Sequence, residues 1–204
     1  KDELVRAALW ESIGGAISDL SGRCRVRYGQ TSIDGPRMLP KQPPTGVENW
    51  KLFEALSLLM VLIGADAVIS KPAVELLGQN KKIEIVEGGF HKYVWTQVPV
   101  KGKSTILDCV PDIIATDIQE APTPEGIQWL IECKSGMRIG APMIRAEFGK
   151  SFDIGTGSYL IWSYRNPPPG VVQGAKNLGI DLVGVGFDTP KRSELLKAPK
   201  ALRE

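Results

Sequence analysis

Asp112, Glu132 and Lys134 are residue types that together can do chemistry on a phosphate. Asp112 opens an apolar run, Pro111-Asp112-Ile113-Ile114-Ala115-Thr116, and the other two end a second one, Trp129-Leu130-Ile131-Glu132-Cys133-Lys134. Both runs have strand length, and the polar stretch between them holds Pro122 and Pro124, so they read as a hairpin or as adjacent strands. Strand side chains alternate between faces, which puts Glu132 and Lys134 on one face and turns Cys133 to the other with Ile131. Asp112 reaches them if the two strands pair. Two carboxylates and a strand carbonyl are the hard oxygen donors that Mg²⁺ takes while keeping several waters. An ammonium beside such an ion can orient an attacking water or help to deprotonate it. The bland alternative is an edge-strand ion pair between Glu132 and Lys134.

These residues resemble a known family. Pro111-Asp112 followed by Glu132-Cys133-Lys134 looks like the motif of the PD-(D/E)XK nuclease superfamily, with a spacing of 20 residues between Asp112 and Glu132 (132 − 112). The resemblance implies a restriction-endonuclease-like α/β fold, a mixed central sheet flanked by helices. It implies Mg²⁺ or Mn²⁺ held by Asp112, Glu132 and the Cys133 backbone carbonyl, and a catalytic Lys134. Phe53-Glu54, the leucine run after it and Gly64 look like the first core helix of Mrr-like and resolvase-like members. There a helical glutamate reaches the site, so Glu54 is expected to complete the acidic cluster. The helical wheel points less clearly: Leu52, Phe53, Leu56, Leu59, Met60 and Ile63 form the apolar face and Glu54 lies opposite it. Glu48 is the reserve, although its place at a helix start is already explained by the helix dipole.

The elements that must position these groups follow from periodicity. Residues 3–20 carry apolar residues at helical spacing, with Gly22 as a plausible C-cap and Gly14-Gly15 as interruptions. Residues 28–46 are rich in Gly and Pro and read as a linker. Residues 47–63 form the strongest helix, apolar nearly all round and therefore buried on more than one face. Runs 81–87, 91–100 and 104–116 are β-rich and suggest an antiparallel meander leading into the Pro-Asp strand. Asp108 shares the strand parity of Asp112 and is a weaker candidate ligand if the strand runs unbroken through Pro111. Beyond Lys134, helices over 142–152 and 171–178, the latter capped by Gly179, alternate with strands over 159–164 and 181–187. That order predicts crossover connections and a partly parallel sheet. The expected organisation is an N-terminal helical arm and linker over 1–46, a nuclease-like core over 47–187 and a basic tail over 188–204.

Composition narrows the partners. The chain has 204 residues, enough for one sizeable α/β core. It has no apolar run of membrane-spanning length, no secretory signal, and a Lys-Asp-Glu-Leu at its start, where that address is not read. Cys24, Cys109 and Cys133 are scattered and odd in number, which suggests reduced thiols and a cytoplasmic protein. With only His91 to help, they make no zinc site. His91 follows Gly88-Gly89 and reads as a solvent-facing turn residue rather than a base, and Cys133 should point away from Glu132 and Lys134.

A net charge of +2 diagnoses nothing alone, but residues 23–41 and the tail from Thr189 hold clusters of Arg and Lys that can neutralise phosphates. Arg145 and Lys150 could contact the scissile phosphate, and Gln173 likewise, but surface solvation is the preferred reading for each. The expected partner is nucleic acid, DNA first, with no membrane, and cutting both strands of a duplex would favour a homodimer. A start at Lys1 rather than Met leads us to expect residues upstream. Two other readings stay open: a catalytically silent binding or scaffold subunit, or a nuclease effector controlled by an upstream sensor domain.

Overall fold

Alternating β-branched runs and amphipathic stretches give a mixed α/β chain. The computed structural model describes residues 2–28, 48–64, 82–87, 90–118, 120–135 and 138–184. Its elements are α1 (Asp2–Tyr28), α2 (Asn49–Gly64), β1 (Lys82–Glu87), β2 (Phe90–Thr96), β3 (Val100–Lys101) and β4 (Asp108–Cys109). They continue with β5 (Ile113–Thr116), β6 (Ile127–Lys134), α3 (Ala141–Ile154), β7 (Tyr159–Ser163), α4 (Pro169–Asn177) and β8 (Ile180–Gly184). The basic tail and most of the expected linker lie outside the described residues. Among those residues, no helix is long and apolar enough to cross a membrane.

The chain divides into two compact units, residues 1–79 with 83–90 and 187–204, and residues 80–82 with 91–186. In the first unit α1 packs against α2. Leu9, Trp10, Ile13 and Ala16 are buried on α1, and Leu52, Phe53, Leu56, Leu59 and Leu62 on α2. Gly22 does not end α1, which continues to Tyr28. A glycine inside a helix costs only about 1 kcal/mol relative to alanine, so neighbouring residues can carry the helix through it.

In the second unit the strands run in the order β2-β5-β6-β7-β8. β5 pairs antiparallel with β2 and β6, while β7 pairs parallel with β6 and β8, so the sheet is mixed. The parallel pairs need crossovers, and α3 and α4 provide them. Because Ile114 pairs with Leu130, Leu130 with Tyr159 and Tyr159 with Ile180, these four side chains share one face of the sheet. That face, with Ile161 and Leu182, forms a core with Ile144 and Ile154 of α3 and Ala175 of α4. Burying Ile144 and Ile154 is worth about 1.5–3 kcal/mol each. Those two anchors fix the rotation of α3 and hence the direction of Glu147 and Lys150, which lie between them.

The expected strand over 104–116 is interrupted. Asp108–Cys109 pairs with Val100–Lys101 in a separate two-stranded ribbon, and Pro111, which has no N–H to give, separates it from β5. Asp108 is exposed on that ribbon and does not join Asp112. The turn of the ribbon is pinned to the end of α3. Asp153 accepts the Thr105 hydroxyl at 2.6 Å and the N–H groups of Thr105 and Ser104 at 2.9 and 3.0 Å. The Lys103 N–H donates to the Asp153 carbonyl at 2.7 Å. A methyl group added at Gly102 would overlap the Asp153 carboxylate. Gly102→Ala is therefore expected to destabilise the fold by about 1–3 kcal/mol, seen as a lower midpoint in urea with an unchanged slope.

The Thr105 hydroxyl, then the Thr105 and Ser104 N–H groups, hold the Asp153 carboxyl below its ordinary range against the opposing effect of burial. A depressed carboxyl contributes stability that is fully present above the unfolded-chain value and is lost as pH falls through the folded one. Asp153→Asn should therefore lower the melting temperature at about pH 6 and have much less effect at about pH 2. A difference between the two proteins that stays constant across that range would rule out the charged pin.

Candidate active site

The β5–β6 register assembles the first part of the site. Ile113 lies opposite Ile131 and Ile114 opposite Leu130, so one further step sets Asp112 opposite Glu132 on the same face. Backbone bonds hold Asp112 there: the Gln97 N–H donates to its carbonyl at 3.1 Å, and its Oδ2 accepts the Cys133 N–H at 2.7 Å. Glu132 and Lys134 follow at the carboxyl end of β6, next to the parallel strand β7, the end at which open α/β sheets place their ligands. The strand alternation puts them together, and Lys134 Nζ lies 3.0 Å from Glu132 Oε2. Cys133 contributes its backbone to the Asp112 contact. Its side chain is half-buried, and alternation turns it to the opposite face.

Helix α3 supplies the remainder. Glu147 occupies the buried stripe of α3 with Ile144 and Ile154, and its Oε1 lies 3.0 Å from Lys134 Nζ. Its other oxygen, Oε2, accepts the hydroxyl of Tyr159 on β7 at 2.5 Å. Lys150, one turn along α3, donates to Glu132 Oε1. The arrangement is a chain of alternating charge: Lys150, Glu132, Lys134, Glu147, ended by the Tyr159 hydroxyl, with Asp112 beside Glu132. Counted with ordinary charges, three carboxylates and two ammoniums leave the cluster one negative charge in excess.

Burial makes that excess costly. Glu132 is only 3 % exposed. Burial, then the neighbouring Asp112 charge, pushes its carboxyl up, against the pull of Lys150 and Lys134. Burial also pushes Asp112 up, opposed by the Cys133 N–H and the two lysines. Lys134 moves the other way relative to its desolvation: burial alone would depress the ammonium, but Glu132 and Glu147 outweigh it and hold it above the usual lysine range. Burial, with the charges of Glu132 and Glu147, keeps the Tyr159 hydroxyl protonated and therefore a donor.

The other residues singled out in the chain lie as follows. Glu54 is half-buried on α2 and belongs to the first unit. Glu48 is exposed at the entrance to α2, where its carboxylate takes the Trp50 indole N–H and its carbonyl accepts the Leu52 N–H. His91 is a residue of strand β2, not of a turn. Gln173 is exposed and donates to Asn177 along α4. Arg145 is exposed, whereas Lys150 is part of the cluster and not a solvated surface residue. Glu147 was given no role by sequence reasoning. Its signal was a carboxylate in an apolar stripe, three residues after Ile144 and seven before Ile154, where a charge is informative because it is expensive.

The donor set suits a small hard cation. Among the described residues no group of three or more His, Cys, Asp or Glu side chains converges in a metal-holding cluster. Asp112 and Glu132, opposite each other on β5 and β6, could share such an ion, with the Cys133 carbonyl and water completing the shell. One or two carboxylates and retained waters is the habit of Mg²⁺. Glu132 would have to exchange one of its two ammonium partners for the ion.

No protein-family model matches the chain, and no curated protein matches it. Among solved structures, the crystal structure of protein VC1899 from Vibrio cholerae is similar at 14 % identity with a TM-score of 0.39, a likeness too loose to assign a fold family. The match covers 97 % of this chain and 53 % of that one, so the chain spans about half the length of the protein it matches.

Proposed function

We propose that the protein is a metal-dependent nuclease that hydrolyses phosphodiester bonds, with DNA as the first expected substrate, on a restriction-endonuclease-like core. The observation that carries this reading is the convergence of Asp112, Glu132 and Lys134 at the carboxyl end of β6, with Asp112 Oδ2 on the Cys133 N–H and Lys134 Nζ on Glu132. Asp112 and Glu132, with the Cys133 carbonyl, would hold Mg²⁺ or Mn²⁺. When bound, such an ion polarises a phosphoryl oxygen and makes a neighbouring water more acidic. Lys134, kept charged by Glu132 and Glu147, positions the attacking water and stabilises charge on the phosphate. Glu147, itself oriented by the Tyr159 hydroxyl, fixes the direction of the Lys134 side chain. Lys150, paired with Glu132 here, would be the ammonium available to a phosphate oxygen if that carboxylate were shared with an ion.

The test is incubation of the full chain with plasmid and with single-stranded DNA and RNA, in Mn²⁺ or in EDTA. Cleavage in Mn²⁺ that EDTA abolishes is expected. The absence of metal-dependent cleavage on every substrate would overturn a nuclease active by itself and leave a binding or scaffold role, or an effector held inactive without its sensor domain.

A further inference from the structure

Both oxygens of Glu132 are engaged by ammonium groups. Oε2 takes Lys134 at 3.0 Å, and Oε1 takes Lys150. The two lysines are not equally tied. Lys134 also lies 3.0 Å from Glu147 Oε1, and the other oxygen of Glu147 is held by the Tyr159 hydroxyl, so Lys134 is fixed from two sides. Among the described residues Lys150 forms an ion pair with Glu132 alone.

The Lys150 pair is built by the fold. Ile144, Glu147, Lys150 and Ile154 recur at helical spacing, and Ile144 and Ile154 pack into the core beneath α3. The packing that carries Glu147 to Lys134 therefore also carries Lys150 to Glu132. Its charge acts on both carboxylates of the proposed metal site. Burial raises the Asp112 carboxyl, and Lys150 joins the Cys133 N–H and Lys134 in pulling it back. Without Lys150 the cluster would carry two negative charges in excess instead of one. The Lys150 side chain is 22 % exposed, and its flexible four-carbon stem can carry the ammonium off Glu132 without a change in the backbone.

We infer that Lys150 is a built-in counter-ion that occupies Glu132 in place of a divalent cation and sets how tightly the site binds one. Lys150 gives up Glu132 Oε1 when that carboxylate and Asp112 share an ion, while Lys134 keeps its hold on Oε2 and Glu147. Affinity for metal is lower by what breaking the Lys150 pair costs. The inference rests on the proposed function, since it takes Asp112 and Glu132 as the metal ligands.

The experiment is calorimetric titration of Mn²⁺ into the full chain at about pH 8, where carboxylate ligands are deprotonated, for wild type, Lys150→Met and Lys150→Arg. Lys150→Met keeps much of the side-chain length without the charge and should bind Mn²⁺ about tenfold more tightly than wild type, or better. Lys150→Arg keeps the charge and should bind no more tightly than wild type. In EDTA the Met variant should melt below wild type, because Glu132 loses a partner, and Mn²⁺ should raise its melting temperature by more than it raises that of wild type. A lysine that only tied α3 to β6 would give the lower melting temperature without the gain in affinity. Wild-type crystals soaked in Mn²⁺ give a reading that needs no variant: Lys150 is expected clear of Glu132, and an ion on Glu132 with Lys150 still paired to it overturns the inference. Unchanged or weaker Mn²⁺ binding by folded Lys150→Met also overturns it and leaves the nuclease reading standing. No Mn²⁺ binding by either wild type or folded Lys150→Met removes both readings.

Discussion

Replacing Lys134 by alanine is expected to lower metal-dependent cleavage by about 100-fold or more, the usual contribution of a positioned proton-transfer or charge-stabilising group. Two effects must be separated in reading that result. The ammonium lies 3.0 Å from both Glu132 Oε2 and Glu147 Oε1, so its removal leaves two buried carboxylates without their shared counter-ion. Breaking a buried ion pair by deleting one partner costs about 3–5 kcal/mol, a large part of the roughly 5–15 kcal/mol that holds a domain together. A loss of activity in Lys134→Ala alone could thus come from partial unfolding. Lys134→Met with Glu147→Gln removes one positive and one negative charge together and keeps the side-chain volumes. The new amide oxygen still accepts the Tyr159 hydroxyl, which contacts Glu147 in the wild type. That double variant should melt near the wild-type temperature and still cleave at no more than about one hundredth of its rate. Full cleavage by a folded double variant would show that the ammonium is a structural tie between β6 and α3 and nothing more.

How far this cluster was legible in the chain depends on what each residue needed from tertiary structure. Asp112, Glu132 and Lys134 needed only strand alternation and one pairing, both local properties, and the antiparallel register of β5 on β6 brings them together as the period of two requires. The strand and helix order after Lys134 was legible for the same reason, because β7, α4 and β8 each carry their own period and their own Gly or Pro boundary. Glu147 was given no role, and Lys150 was read as a solvated surface residue or at most a phosphate contact, although both lie in a recognisable helix. Their roles depend on which way α3 is rotated, and that is set by Ile144 and Ile154 packing on strands distant in sequence. Asp108 failed in the opposite sense. Its parity with Asp112 is real, but parity transmits position only along an unbroken strand, and Pro111 breaks this one into ribbon and sheet. Gly22 shows the same limit for helices: a glycine can end a helix, but whether it does so depends on the residues around it and their packing.

Asp112→Asn is expected to weaken Mn²⁺ binding by about 100-fold or more, measured by calorimetric titration, while leaving the fold intact. The Asp112 side chain has two jobs, and asparagine can do one of them. Oδ2 accepts the Cys133 N–H at 2.7 Å, which an asparagine carbonyl can equally do, so the β5–β6 junction keeps its hydrogen bond. What asparagine cannot do is bring a negative charge, and charge is the main part of what a carboxylate offers a hard cation. Asp112→Ala removes both functions and should lower the melting temperature as well, since leaving a buried donor without its partner costs about 1–3 kcal/mol. The contrast between the two variants therefore separates metal affinity from structure.

The sign of the wild-type response to acid gives an independent check. Burial raises both the Asp112 and Glu132 carboxyls, so ionising them opposes folding as pH rises through their folded values, and a bound cation relieves that opposition. Mn²⁺ should accordingly raise the melting temperature more at about pH 7.5 than at about pH 5, and in Asp112→Asn it should raise it little at either. If Mn²⁺ binds Asp112→Asn as tightly as wild type, the ion is held elsewhere. Asp112 would then be a clasp between two strands, and the site would lose the charge that makes hydrolysis its best explanation.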